Sequence, residues 1–105
     1  FVPAIERFSP DIMIVSAGQD ILSDDPLGMM GIIPRDFEVL TRMLVHAARV
    51  PLALVLEGGY GPSHGEAVRS IFAALMSKGP ENPTGIPSGH TQSVVSYLKS
   101  EHDLF

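Results

Sequence analysis

Three aspartates lie close together early in the chain, at Asp20, Asp24 and Asp25. Asp20 lies four residues beyond Ser16, where an apolar run ends. A carboxylate in that position can bind a metal ion or act as a general base. An aspartate near glycine and proline can instead cap a turn, and spacing alone favours that interpretation for Asp20. Asp25, directly before Pro26, is typical of a turn, and we predict a structural role for it.

A tyrosine follows two glycines in the segment Gly58-Gly59-Tyr60. Glycines allow unusual backbone angles and a close approach of substrate, and a tyrosine hydroxyl beside a site can donate a hydrogen bond to a developing oxyanion. Two alternatives stay open on these residues. Tyr60 can pack its ring and leave its hydroxyl in water, or the glycine-rich turn before a helix can bind an anion. The segment lacks the lysine and the spacing of a P-loop.

The other candidate groups give weaker signals. No two of the four histidines form a paired metal motif, and only His64 lies near Tyr60; the others, expected at the surface, are His46, His90 and His102. Ser16 has no histidine next to it in sequence, so a serine nucleophile is unsupported. The chain has no cysteine, which excludes disulfides and thiolate metal sites.

Two short apolar runs, 12–16 and 52–56, predict buried strands that are apolar on both faces, as in parallel sheets. A helix is predicted between them, from Pro34 to the residue before Pro51, which gives a right-handed βαβ crossover. The carboxyl ends of parallel strands lie at one edge of a sheet. We therefore expect the loops that carry Asp20 and Tyr60 to meet there.

Further helices are predicted after the second strand. Ser63 and Glu66 have the spacing of a capping box, and the segment Lys78-Gly79-Pro80 is predicted to end the helix that starts there. Residues 79–91 read as a loop, and residues 92–104 as a final helix with Val94, Val95 and Leu98 on its apolar face.

The composition indicates which classes of protein are compatible with this chain. The 105 residues suffice for one small domain, and 45% hydrophobic with 18% charged residues is typical of a globular chain. A net charge of −5 without a basic run argues against direct nucleic-acid binding. No apolar stretch is long enough to cross a membrane, and no signal peptide is visible in these residues. The absence of disulfides is compatible with a reducing compartment, and the expected location is the cytoplasm.

Several short motifs occur in a fixed order along the first 60 residues: Phe8-Ser9-Pro10-Asp11, Val15-Ser16-Ala17-Gly18-Gln19-Asp20, Asp25-Pro26-Leu27-Gly28, Leu40-Thr41 and Leu56-Glu57-Gly58-Gly59-Tyr60. The series resembles the histone deacetylase superfamily, with its acetoin-utilisation and acetylpolyamine amidohydrolase branches. The Glu-Gly-Gly-Tyr form is similar to class II and prokaryotic members. The resemblance covers residues 1 to about 78. It implies an α/β fold, namely the C-terminal part of an arginase/deacetylase-type three-layer fold with parallel strands and a βαβ crossover.

The resemblance also implies roles for individual residues. Asp20 matches the last of three protein ligands to a catalytic Zn²⁺, and Tyr60 matches the tyrosine that hydrogen-bonds the substrate carbonyl and then the oxyanion. Gly58, with Gly59, matches the glycine loop that lines the acyl-lysine tunnel. The other two zinc ligands and a proton-transferring pair of histidines lie upstream in the family. Gln19 stands where many relatives have an aromatic residue, so we expect a different tunnel wall.

The expected function is therefore that of a zinc-dependent amide hydrolase acting on acetyl-lysine or acetylated polyamines. The chain, which begins with Phe1, is expected to be a C-terminal segment that is inactive alone. It is expected to self-associate or to pair with the missing N-terminal region, because two parallel strands leave both sheet edges open. Two alternatives remain: a non-catalytic association module, and an anion-binding α/β domain that uses the Tyr60 loop.

Overall fold

A pair of parallel strands forms the centre of the computed structural model, which describes residues 1–28, 30–77 and 85–101. Strand β1 spans Met13–Ala17 and strand β2 spans Leu52–Leu56, and they pair in parallel from Met13 opposite Leu52 to Ala17 opposite Leu56. The predicted parallel pair is confirmed. β1 begins one residue later than predicted, at Met13, whose N–H donates to the Pro51 carbonyl (3.0 Å).

Helix α2 (Pro34–Ala48) connects the strands, after helix α1 (Val2–Phe8), which precedes β1. Pro34 fixes φ in the first turn of α2, and Asp36 accepts a hydrogen bond from the Ile33 N–H (2.9 Å). At its other end, Arg49 adopts a left-handed conformation with φ 54°. α2 therefore starts at the predicted residue and ends before Pro51, as expected.

The core lies between the sheet and the two helices that follow the strands, α2 and α3 (His64–Met76), which pack against each other. Leu22, Phe37, Ala67 and Ile71 are buried together, and Leu54 of β2 packs against them. The opposite face of the sheet is open among the described residues: Ile14 is 68% exposed and Val55 48%. The strands are apolar on both faces, as predicted, but described residues cover only one.

Helix α1 was not predicted from the sequence. It has seven residues, none of them buried, and a proline in its first turn. It packs against α2 and ends at Ser9, which is left-handed with φ 51°. So short a helix with no buried stripe gives no helical periodicity to detect.

The last helix, α4, spans Gly89–Glu101 and starts three residues before the predicted position, because the Ser88 hydroxyl accepts the Thr91 N–H (3.1 Å) and so caps its first turn. The predicted loop over 79–91 is thus wrong for residues 89–91. All residues of α4 are exposed. The predicted stop at residues 78–80 and the helix end beyond residue 101 lie outside the described residues. Among the described helices, none has the length and apolar character needed to span a bilayer.

Candidate functional site

The two loops predicted to meet at the carboxyl ends of the strands do lie side by side. The Glu57 N–H donates to the Ala17 carbonyl (3.4 Å), and the Gln19 N–H donates to the Gly58 carbonyl (2.6 Å). Hydrogen bonding thus continues past the last strand residues. It brings the segment that carries Asp20 against the glycines before Tyr60.

Asp20 is half-buried, and its carboxylate lies between two glycines. A Cβ atom on Gly18 would lie 2.9 Å from Asp20 Oδ1, and a Cβ atom on Gly58 would lie 2.8 Å from Oδ2. Both glycines therefore make room for this carboxylate. No described residue donates a hydrogen bond to it, so both oxygens are available to a ligand from outside the described chain.

Asp25 is the opposite case, since it is 6% exposed and both of its oxygens are occupied. Oδ1 accepts the N–H groups of Leu27 (2.8 Å) and Gly28 (3.0 Å). Oδ2 accepts those of Tyr60 (2.7 Å) and Gly61 (3.2 Å). These donors, Tyr60 foremost, lower the pKa of Asp25 below its ordinary value of 3.8 despite burial. The predicted turn role is confirmed, and the same carboxylate also joins the two loops.

Asp24 holds the start of α3. Its Oδ2 accepts both the N–H (3.1 Å) and the hydroxyl (2.7 Å) of Ser63, the residue before the helix. The predicted capping box between Ser63 and Glu66 is therefore wrong, because the serine side chain makes no cap within its own helix. A carboxylate 39 residues away provides the stronger acceptor.

The tyrosine loop is held by its backbone. Gly59 has φ 143°, and a Cβ atom there would lie 2.5 Å from His64 Nδ1 and 2.8 Å from Gln19 Cβ, so only glycine fits without strain. Tyr60 is 65% exposed. Its N–H is bound by Asp25, while no described residue is hydrogen-bonded to its hydroxyl. The hydroxyl is therefore free to interact with another molecule.

Gln19 and His64 enclose Gly59 from two sides. Gln19 is completely buried, and its Nε2 donates to the Ala17 carbonyl (2.6 Å). The Gln19 side chain therefore turns into the protein, and the different tunnel wall expected at this position stays a prediction. Gln19 Oε1 and His64 Nδ1 are buried without a described hydrogen-bond partner. His46 and His90 are exposed as predicted, and His102 lies outside the described residues.

A zinc ion takes three or four protein ligands. Within the described ranges, no group of three or more His, Cys, Asp or Glu side chains could hold a metal ion. Asp20, with two uncommitted oxygens, fits one ligand position. The described residues could therefore supply part of a zinc site, but they do not form a complete one.

The anion-binding alternative finds little support in the Tyr60 loop. An anion there would need free backbone N–H groups. The N–H groups of Tyr60 and Gly61 donate to Asp25, and that of Ser63 donates to Asp24. These donors already bind the chain's own carboxylates, and two aspartates beside the loop would repel an anion.

The comparison with protein families identifies the class to which this chain belongs. The histone deacetylase domain family matches residues 1–76. The chain therefore belongs to the histone deacetylase family, and its α/β architecture with parallel strands is part of the arginase/deacetylase fold. The predicted family and fold class are both confirmed.

Individual relatives agree with this assignment. The chain is 34% identical to histone deacetylase 15 of Arabidopsis thaliana over 95 residues, and 36% identical to polyamine deacetylase HDAC10 of Danio rerio over 100 residues. These matches cover 90% and 94% of this chain but 17% and 14% of those proteins. The crystal structure of the HDA15 HD domain superposes with a TM-score of 0.78 at 31% identity, and covers 93% of this chain and 28% of that one.

Proposed function

We propose that this chain forms one side of the active site of a zinc-dependent deacetylase whose other side comes from residues outside this sequence. One observation carries the proposal. The Asp20 carboxylate, without a described partner, lies against Gly58 at the sheet edge where the Tyr60 loop begins. The small share of each relative that the chain spans supports the view that the domain continues beyond it.

In this proposal each residue has a distinct task. Asp20 provides one carboxylate ligand to zinc, and the bound metal supplies Lewis acidity toward the substrate carbonyl. The Tyr60 hydroxyl donates a hydrogen bond to the carbonyl oxygen as negative charge develops on it. Gly58 and Gly59 leave space for the substrate because they carry no side chain.

The substrate is proposed to be an acetylated amine, either acetyl-lysine in a protein or an acetylated polyamine. The names of relatives include both a histone deacetylase and a polyamine deacetylase. Both types of substrate place an amide at the end of a flexible chain, so the groups at Asp20 and Tyr60 serve either one. The choice between them depends on residues farther from the reacting amide.

The open sheet face is proposed to be covered by the remainder of the domain, or by a second copy when this chain is alone. Exposed Ile14 and Val55 support this, because an apolar sheet face of this kind is normally buried. The same face supports the association alternative. Only a catalytic domain, however, requires the uncommitted groups at Asp20 and Tyr60.

The proposal is tested in the full-length protein that carries this sequence. Tyr60→Phe should lower kcat by about 10²-fold or more on an acetyl-lysine peptide and on acetylspermidine, with zinc content unchanged. Asp20→Asn should lower zinc content, measured by atomic absorption after dialysis. A Tyr60→Phe enzyme with near-normal kcat would rule out the oxyanion role, and full zinc retention by Asp20→Asn would rule out the ligand role.

A further inference from the structure

We propose that Asp25 is the positioning residue for Tyr60: its carboxylate sets the distance between the loop that carries Asp20 and the loop that carries Tyr60. The inference rests on the proposed function and deepens it. It assigns the alignment of the two functional side chains to a third residue that makes no contact with substrate.

The two oxygens of the Asp25 carboxylate bind different loops. Oδ1 binds the N–H groups of Leu27 and Gly28, in the loop that follows Asp20. Oδ2 binds the N–H groups of Tyr60 and Gly61, which are 35 and 36 residues away. One buried, rigid group of three atoms therefore connects both loops through four hydrogen bonds. Bonds to an ionised acceptor are about twice as strong as neutral ones.

The hydrogen bonds of Asp25 hold backbone next to Asp20 and the backbone of Tyr60 itself. Gly28, held by Oδ1, packs so closely on the backbone of Asp20 that a Cβ atom on Gly28 would overlap the Asp20 carbonyl oxygen. On the other side, Oδ2 holds the backbone nitrogen of Tyr60 itself. Because the exposed Tyr60 side chain has no described hydrogen bond of its own, its position follows from its backbone. A misplacement of about 1 Å in an active site can cost about 10²-fold in rate.

A pair of substitutions isolates this role. Asparagine at position 25 has one acceptor oxygen, and its NH₂ group would face two N–H donors, so one pair of hydrogen bonds must be lost. Asp24 is the matched control, because it uses Oδ2 alone to accept from Ser63. Asparagine at position 24 can keep both of those bonds with its single carbonyl oxygen.

In the full-length protein, we expect Asp25→Asn to lower kcat by about 10- to 100-fold, with zinc content retained and with a smaller effect on KM. Asp24→Asn should leave kcat within about twofold of wild type. In the Tyr60→Phe background, Asp25→Asn should cause little further loss of kcat, because both changes remove the same contribution. A full additional loss in that background would overturn the inference and indicate a general structural role.

A second measurement does not depend on the variant folding. In the wild-type protein, amide hydrogen exchange should show protection at Tyr60 and Gly61, although the side chain of Tyr60 is exposed. Free exchange of both amides would contradict the proposed bridge. Failure of the proposed function itself is seen separately, as a Tyr60→Phe enzyme with normal kcat.

Discussion

Three aspartates of identical chemistry have three different roles within a few residues of one another. Asp25 accepts four backbone N–H groups, and Asp24 binds Ser63 at the start of α3. Asp20 lies against Gly18 and Gly58 without a described hydrogen bond. Backbone donors thus decide which carboxylate is structural. The one that lacks such donors is the one available for a metal ion.

At the residue scale, we expect any side chain at Gly59 to reduce both stability and activity. Gly59→Ala in the full-length protein forces a Cβ atom against His64 and Gln19 at φ 143°. Strain of this type costs about 1–3 kcal/mol, and we expect a lower melting temperature together with reduced kcat, since the neighbouring Tyr60 shifts.

Gly65 provides the control for this substitution. It lies in the first turn of α3, and nothing would lie within 4 Å of an added Cβ atom. Gly65→Ala should leave activity unchanged and stabilise the helix by about 0.5–1 kcal/mol. Equal melting temperatures for the two alanine variants would contradict the described packing around Gly59.

At the element scale, the two strands bring the site together by ending at the same edge. The register places Ala17 opposite Leu56, so the residues that follow each strand leave the sheet side by side. The start of α3 is then held by Asp24 from the first loop. Strand ends and a helix start, and not the helices' apolar faces, fix where the functional residues lie.

The start of α3 gives a prediction at this scale. Ser63→Ala removes the hydroxyl bound to Asp24 and should destabilise the full-length protein by about 1 kcal/mol. Glu66→Ala should cost only a few tenths of a kcal/mol from the helix dipole, because Glu66 makes no cap. In double-mutant cycles measured by urea denaturation, Ser63 should couple to Asp24 and not to Glu66. Coupling of Ser63 to Glu66 alone would instead support the predicted capping box and contradict the contact with Asp24.

The sequence predicts the elements better than the contacts between loops. β2 matches the predicted range, and α2 begins at Pro34 as expected, because apolar runs and proline are local signals. The links from Asp25 to Tyr60 and from Asp24 to Ser63 join residues 35 and 39 positions apart. Apart from the Ser63 hydroxyl, the donors in these links are backbone N–H groups, which every residue except proline has, so the residue type does not predict the links.

At the scale of the whole molecule, the sheet has one covered face and one open face among the described residues. Ile14 and Val55 lie on the open face, and both strands are edge strands. Three or more strands are normally needed for independent stability. The architecture therefore fits a part of a wider sheet.

This arrangement predicts the behaviour of the isolated 105-residue chain. It should self-associate or be only marginally folded, because open edges and an apolar face favour pairing with another chain. Sedimentation velocity at low micromolar concentration, together with a thermal melt, measures both properties. A strictly monomeric species with a cooperative melt would contradict the argument from the open sheet.

Zinc content and turnover of that isolated chain test the central claim most directly. The account predicts far less than one zinc per chain after dialysis and no deacetylation of an acetyl-lysine peptide, because no group of three or more His, Cys, Asp or Glu side chains among the described residues could hold the metal ion. The sample's folded fraction is followed by circular dichroism so that an unfolded chain is recognised. Stoichiometric zinc with measurable turnover would show that this chain completes the site by itself, and would contradict the account.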